Sequence, residues 1–249
     1  DQANSQLVAL EPEKRAWSVR EPAGEEPLVS LVGLAVDDGG AAYLTDSVLK
    51  KVFRLRAGSD RLERFAADYP FERPTGIVFN SANRNLYVVD TLASKVLAFD
   101  LSGRKVLEFG RRGQGPGELN YPTWIAADAR GAIYVSDTLN FRVQSFAADG
   151  TFRFAFGSLG DGPGAFSAPK GVAVGPEGLV YVVDGRQDRV EAFSLAGEFR
   201  FAFGSSGTGP GQFWLPNGIY ADERGRVYVC DYLNDRVQVF QYIGEKSEK

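Results

Sequence analysis

At 249 residues, 44% of them hydrophobic, the chain can bury a sizeable core, and an all-β fold reaches this length as a single domain. Its net charge of 28 − 32 = −4 draws neither a nucleic-acid backbone nor an anionic membrane, and no apolar run is long enough to cross a bilayer as a helix. The absence of histidine removes every mechanism that needs imidazole as a base, proton shuttle or metal ligand. A lone Cys230 excludes an intrachain disulfide and leaves the redox compartment open.

A repeat organises what remains. Tyr43-Leu44-Thr45-Asp46, Tyr87-Val88-Val89-Asp90, Tyr134-Val135-Ser136-Asp137, Tyr181-Val182-Val183-Asp184 and Tyr228-Val229-Cys230-Asp231 align, with aspartates 44, 47, 47 and 47 residues apart (90 − 46, 137 − 90, 184 − 137, 231 − 184). One further period back lands on Asp1. Residues 1–7 then read against Asp137 to Val143, with Leu7 to Leu10 as a third strand and Arg15 to Val19 as a fourth. Residues 1–27 are therefore expected to be the remnant of an incomplete blade, preceded in the parent by an upstream piece; the alternative is that this strand closes the last blade as a clasp. Repeats follow at about 28–72, 73–120, 121–167, 168–214 and 215–243, and 244–249 is a polar tail.

Within each repeat four short runs, rich in β-branched and aromatic residues and bounded by Gly and Asp, predict antiparallel strands. In the third they are Ile125 to Ala127, Ile133 to Ser136, Arg142 to Phe146 and Phe152 to Phe156. Sheets this small are apolar on both faces and hide those faces only by radial stacking, so the predicted fold is an all-β propeller of four-stranded antiparallel blades, five recognisable and one halved. Phe154, Phe156, Phe201 and Phe203, with Tyr134, Tyr181 and Tyr228, are the expected filler between blades. Cys230 stands where the other repeats carry Thr45, Val89, Ser136 and Val183, and is expected to be a small buried residue.

The pattern Pro-x-Gly-Ile-x-x-Asp, Tyr-Val-x-Asp-Thr-x-Asn-x-Arg-Val-x-x-Phe, then Phe-Gly-x-x-Gly-x-Gly-Pro-Gly-x-Phe runs from Pro122 to Phe166 and recurs, with small departures, from Pro74, Pro169 and Pro216. It resembles the NHL repeat, and the chain resembles the bacterial secreted or lipoprotein NHL proteins. That resemblance implies a six-bladed parent and a periplasmic or extracellular address. Relatives of the family hold a central cation through backbone carbonyls of the inner strands; here that implies a structural ion at most, and no other cofactor.

Aspartates and cations five apart join the second strand to the third: Asp46/Lys51, Asp90/Lys95, Asp137/Arg142, Asp184/Arg189 and Asp231/Arg236. Recurrence in every repeat marks these as structural pairs, and neither a catalytic set nor a metal-ligand set stands out. The glycine-rich stretches 110–117, 157–164 and 204–211 lack the strand-to-helix context of a phosphate cradle and are connectors.

Function is sought where repeats differ, around the channel mouth. Thr75, Thr123, Lys170 and Asn217 precede the first-strand glycine, Trp124 replaces it once, and Arg73, Tyr121 and Trp214 lie near the repeat start. Arg186 and Tyr232 follow the repeated aspartate. Aromatics and cations around a concavity make a binding face for a protein, peptide or small ligand. The alternatives are a lactonase-like, metal-assisted hydrolase or lyase at the same mouth, and single-stranded RNA binding, which the acidic balance disfavours.

Overall fold

The computed structural model describes residues 7–11, 16–20 and 27–244, so the expected turn at residues 1–6 and the end of the tail lie outside the described residues. The chain divides into two compact units, 1–112 and 113–249.

In the first unit β1 (Leu7–Glu11) and β2 (Ala16–Arg20) form an antiparallel pair. Two four-stranded sheets follow. The first runs β3 (Leu31–Val36), β4 (Ala42–Asp46), β5 (Lys51–Leu55) and β6 (Leu62–Phe65); the second runs β7 (Pro74–Asn80), β8 (Asn85–Asp90), β9 (Lys95–Phe99) and β10 (Lys105–Phe109). Both are meanders, each strand pairing antiparallel with the next. Their facing sides share one core, in which Tyr43, Val52 and Phe65 meet Ile77, Leu86, Val88 and Phe99. The innermost strands β3 and β7 lie against one another, the arrangement of neighbouring propeller blades.

The second unit repeats the scheme. Its blades are β11 (Pro122–Ala127) to β14 (Phe152–Phe156) through β12 (Ile133–Asp137) and β13 (Arg142–Phe146), and β15 (Pro169–Val174) to β18 (Phe199–Phe203) through β16 (Leu179–Asp184) and β17 (Arg189–Ser194). Between β18 and the last sheet, β19 (Ser205–Ser206) pairs in parallel with β20 (Gln212–Phe213). The last sheet has three strands, β21 (Pro216–Ala221), β22 (Arg226–Asp231) and β23 (Arg236–Gln241). Most of the expected filler is in place: Phe156 packs 4.6 Å from Phe193, and Phe203 4.7 Å from Phe240, whereas Tyr228 is half-buried on the uncovered face of the last sheet. Tyr134 and Tyr181 are fully buried, as blades apolar on both faces require.

Cys230 departs from expectation. It is exposed. Its face of the last sheet, shared with Tyr220, Val237 and Val239, is open, whereas the matching face of the fourth blade (Ala173, Tyr181, Val183, Val190 and Ala192) is covered by the blade that follows it.

One irregularity recurs at the inner strand. Pro122 pairs with Asp137 and Ile125 with Val135, so Thr123 and Trp124 together oppose Ser136; the same slip follows Leu31, Pro74, Pro169 and Pro216. This β-bulge turns the two extra residues away from the regular pleat. Glycine fills the second place in the fourth blade because neighbouring inner strands approach so closely: a Cβ at Gly171 would sit 2.6 Å from the Asn217 carbonyl oxygen.

Candidate functional site

The repeated aspartates sit at the ends of second strands, opposite their cations in the strand register: Asp46 faces Lys51, Asp90 Lys95, Asp137 Arg142, Asp184 Arg189, and Asp231 Arg236. Ion pairs close in two of the five, Asp137–Arg142 at 2.8 Å and Asp231–Arg236 at 2.7 Å. Lys95 instead meets Glu108 at 3.1 Å, and Arg189 meets Glu191.

What all five carboxylates do is accept backbone N–H groups from the chain entering their own blade. Asp46 takes Val29, Asp90 takes Arg73, Asp137 takes Asn120, Asp184 takes Ser167 and Asp231 takes Trp214, at 2.6–2.8 Å. Side chains of the same hairpin hold the glycine-rich connector that precedes it. The Asn140 amide donates to the Gly113 carbonyl at 2.9 Å, the Arg142 guanidinium to those of Gly115 and Glu118, and Gln144 accepts from the Gly117 N–H at 2.9 Å. Asn234, Arg236 and Gln238 repeat this on Gly207, Gly209, Gly211 and Gln212. Burial pushes the Asp231 carboxyl up, but these donors outweigh it and hold the group below its ordinary range. The spacing showed the pair; it did not show the connector as the shared partner, because that contact joins residues 24 to 27 apart.

Carboxylates so occupied are poor metal ligands, and among the described residues no group of three or more Asp, Glu or Cys side chains is placed to hold a metal ion.

The variable positions are read unit by unit. In the first unit Thr75 is buried and its hydroxyl pairs with that of Thr91 at 2.8 Å, while Arg73 is exposed beside it. In the second unit the Thr123 hydroxyl lies 2.7 Å from that of Thr138, which in turn donates to the Pro169 carbonyl at 3.0 Å. Both threonines of the expected binding set are thus buried and engaged in the scaffold.

The fourth blade departs from this threonine pair. Lys170 stands in place of Thr123 and Gly185 in place of Thr138, and the Lys170 stem crosses the vacated space: a Cβ at Gly185 would lie 3.3 Å from its Cγ. Lys170 is half-buried, Arg186 follows Gly185 and is exposed, and among the described residues neither cation has an acidic partner. In the last blade the pair becomes Asn217 and Tyr232. Asn217 accepts the Gly218 N–H through its side-chain oxygen at 2.6 Å, and Tyr232 is 55% exposed.

Trp124, half-buried, reaches across to the last blade, its ring edge 3.5 Å from where a Gly218 Cβ would be. Trp214, 52% exposed, and Leu233 are tied by a backbone bond of 3.0 Å, which sets Trp214, Leu215, Tyr232 and Leu233 together as an apolar patch. Tyr121 is half-buried in a left-handed backbone conformation (φ 54°) at the entry to β11. The second unit therefore brings together Trp124, Lys170, Arg186 and Asn217 at or beside its inner strands, with Tyr232 and Trp214 on the loops of the last blade.

Comparison with known proteins agrees with this architecture. Residues 213–240 match the NHL repeat. Virginiamycin B lyase from Staphylococcus aureus superposes with a TM-score of 0.70 at 14% identity, over 98% of this chain and 80% of the lyase. A catalytically inactive histidine-to-alanine variant of that lyase, solved with quinupristin, gives 0.69 at 14% identity over 99% and 80%. The nidogen/laminin complex gives 0.68 at 18% identity over 96% and 90%, and a gluconolactonase from Xanthomonas campestris 0.65 at 18% over 85% and 72%. At such identities the likeness shows the fold, a β-propeller, which carries enzymes and binding proteins alike.

Proposed function

We propose that this NHL-repeat propeller is a non-catalytic binding module, and that its second unit takes an acidic segment of a partner protein or peptide at the channel mouth. One observation carries the reading: among the described residues Lys170 and Arg186 stand without acidic partners near the half-buried Trp124 and the exposed Tyr232, while the repeated carboxylates are consumed by the scaffold. A cation with no internal partner keeps its full attraction for an incoming carboxylate, and flat aromatic surface adds contact area at little entropic cost. The nidogen/laminin complex shows that a propeller of this shape can serve binding.

The enzyme reading has less support. The lyase it resembles is inactive once a histidine is replaced, and this chain has none. A lactonase-like metal site would need carboxylates that are here bonded to backbone N–H groups. A periplasmic or extracellular location belongs to the same proposal and rests on the resemblance alone.

An arrayed peptide library tests the binding reading. The wild-type protein should retain Asp/Glu-containing peptides, and a Lys170→Glu/Arg186→Glu variant of unchanged melting temperature should lose them by tenfold or more. Equal retention by both proteins, or a preference for neutral peptides or for single-stranded RNA, overturns it.

A further inference from the structure

A second candidate site lies away from the mouth, at the turns joining first to second strands. In four of the five repeats the second-strand tyrosine hydroxyl is bonded to a side chain of its own blade. Tyr43 donates to Asp37 at 3.0 Å, Tyr228 to Asp222 at 3.1 Å and Tyr181 to Glu177, and Tyr87 accepts from Asn83 at 2.7 Å. The third blade breaks this rule. Tyr134 donates to the Leu195 carbonyl of the next blade at 3.2 Å, although Asp128 stands where Asp37 and Asp222 do.

Asp128 has the turn geometry of its counterparts: one carboxylate oxygen accepts the N–H groups of Arg130 and Ala132, at 2.9 and 2.8 Å. In Asp37 and Asp222 the other oxygen takes the tyrosine hydroxyl, and in Asp222 the Arg226 guanidinium as well, at 2.6 Å. In Asp128 that second oxygen has no partner among the described residues, although the side chain is only 9% exposed. With the rest of the residue buried, that oxygen takes its donor from whatever fills the space it faces.

It lines a cavity of about 310 Å³ between the third and fourth blades, walled by Asp128, Arg130, Tyr134 and Arg153 with Ala147, Ala148 and Leu195. The Arg153 guanidinium is steadied over the Phe154 ring at 5.9 Å and has no carboxylate partner among the described residues. Burial, then the charge of Asp128, push the Tyr134 hydroxyl up to about 12, with Arg153 opposing, so all three groups share one small space. The phenol stays neutral and is available only as a hydrogen-bonding group.

We propose that this cavity binds a small zwitterion of the α-amino-acid class, its ammonium on the free oxygen of Asp128 and its carboxylate on the Arg153 and Arg130 guanidiniums. One unpartnered anion and two unpartnered cations in a single hollow complement a ligand carrying both charges on adjacent carbons. Ala147, Ala148 and Leu195 offer a floor for a short aliphatic side chain. The volume matches about ten water molecules at roughly 30 Å³ each, enough for a ligand of that size.

Amide chemical-shift perturbation tests it, with L-alanine, L-lactate, glucose and inorganic phosphate as separate probes. L-alanine should shift residues 128–134, 147–153 and 195 saturably. Asp128→Asn, whose side-chain oxygen can still accept the turn N–H groups, should weaken alanine binding at least tenfold. It should leave the weaker response to L-lactate unchanged, and Arg153→Gln should weaken both. Absence of saturable shifts, stronger binding of glucose or phosphate, or indifference of alanine to Asp128→Asn overturns the proposal.

Discussion

In the third blade Gln144 accepts the Gly117 N–H with its amide oxygen and donates from its amide nitrogen to the Glu118 carbonyl at 2.6 Å and to Asp137 at 2.9 Å. In the fourth blade Glu191 takes the equivalent N–H of Gly164 at 3.0 Å but has no nitrogen to donate, so its other oxygen turns to Arg189. Arg189 is thereby withdrawn from Asp184, which keeps the amide of Gln187 at 3.0 Å, as Asp137 keeps that of Asn140 at 2.8 Å. Both hairpins grip a connector of the same shape. The third does it with one buried carboxylate, the fourth with two. Keeping a scaffold contact thus leaves the charge free to vary, and the electrostatic cost differs between blades of the same strand order and register.

The largest effect should separate the two aspartates. Asp137→Ala removes the buried acceptor shared by the Asn120 N–H, Asn140, Arg142 and Gln144, and should cost about 3–5 kcal/mol in urea unfolding. Asp184→Ala should cost clearly less, because it also relieves Glu191 of a like charge. Equal costs would show that the second carboxylate is electrostatically silent.

Next comes Glu191→Gln. Burial raises the Glu191 carboxyl above its ordinary value, with Arg189 opposing. The folded chain then holds this proton more tightly than the unfolded chain does. Stability from this group is complete below the ordinary glutamate range and is lost as pH rises through the raised value. The glutamine variant should therefore melt a few degrees higher than wild type at neutral pH and converge with it near pH 4, as scanning calorimetry across pH would record.

The converse change should be smaller and of opposite sign. Gln144→Glu puts a second carboxylate beside Asp137 and removes the amide that donates to it, and should lower stability by about 1–2 kcal/mol at pH 7 in the same calorimetry.

Repeat period, strand count and blade filler were legible in the sequence because each is written several times over. The aspartate-to-cation register was legible too, since a hairpin fixes which residues face one another. The actual ion pairs were not: Lys95 has a competitor, Glu108, brought in by pairing with the next strand, and Arg189 has one, Glu191, two residues along its own strand, whose side chain faces the same way. The burial of Thr75 and Thr123 comes from their partners Thr91 and Thr138, which vary with them from repeat to repeat and are the signal the sequence carries for it. Cys230 was read as buried by analogy with repeats whose face is covered, and the last sheet is where that analogy fails.

Each glycine-rich connector is gripped by the hairpin of the blade it leads into; the last is also tied back, at Ser206 and at the Leu215 N–H just beyond it, to Asp188 of the blade it leaves. Protection of its amides against exchange with solvent is therefore borrowed from downstream. Residues 207–212 should open together with the three-stranded sheet formed by β21 to β23, so the smallest cooperative unit of this protein is a blade plus the segment preceding it.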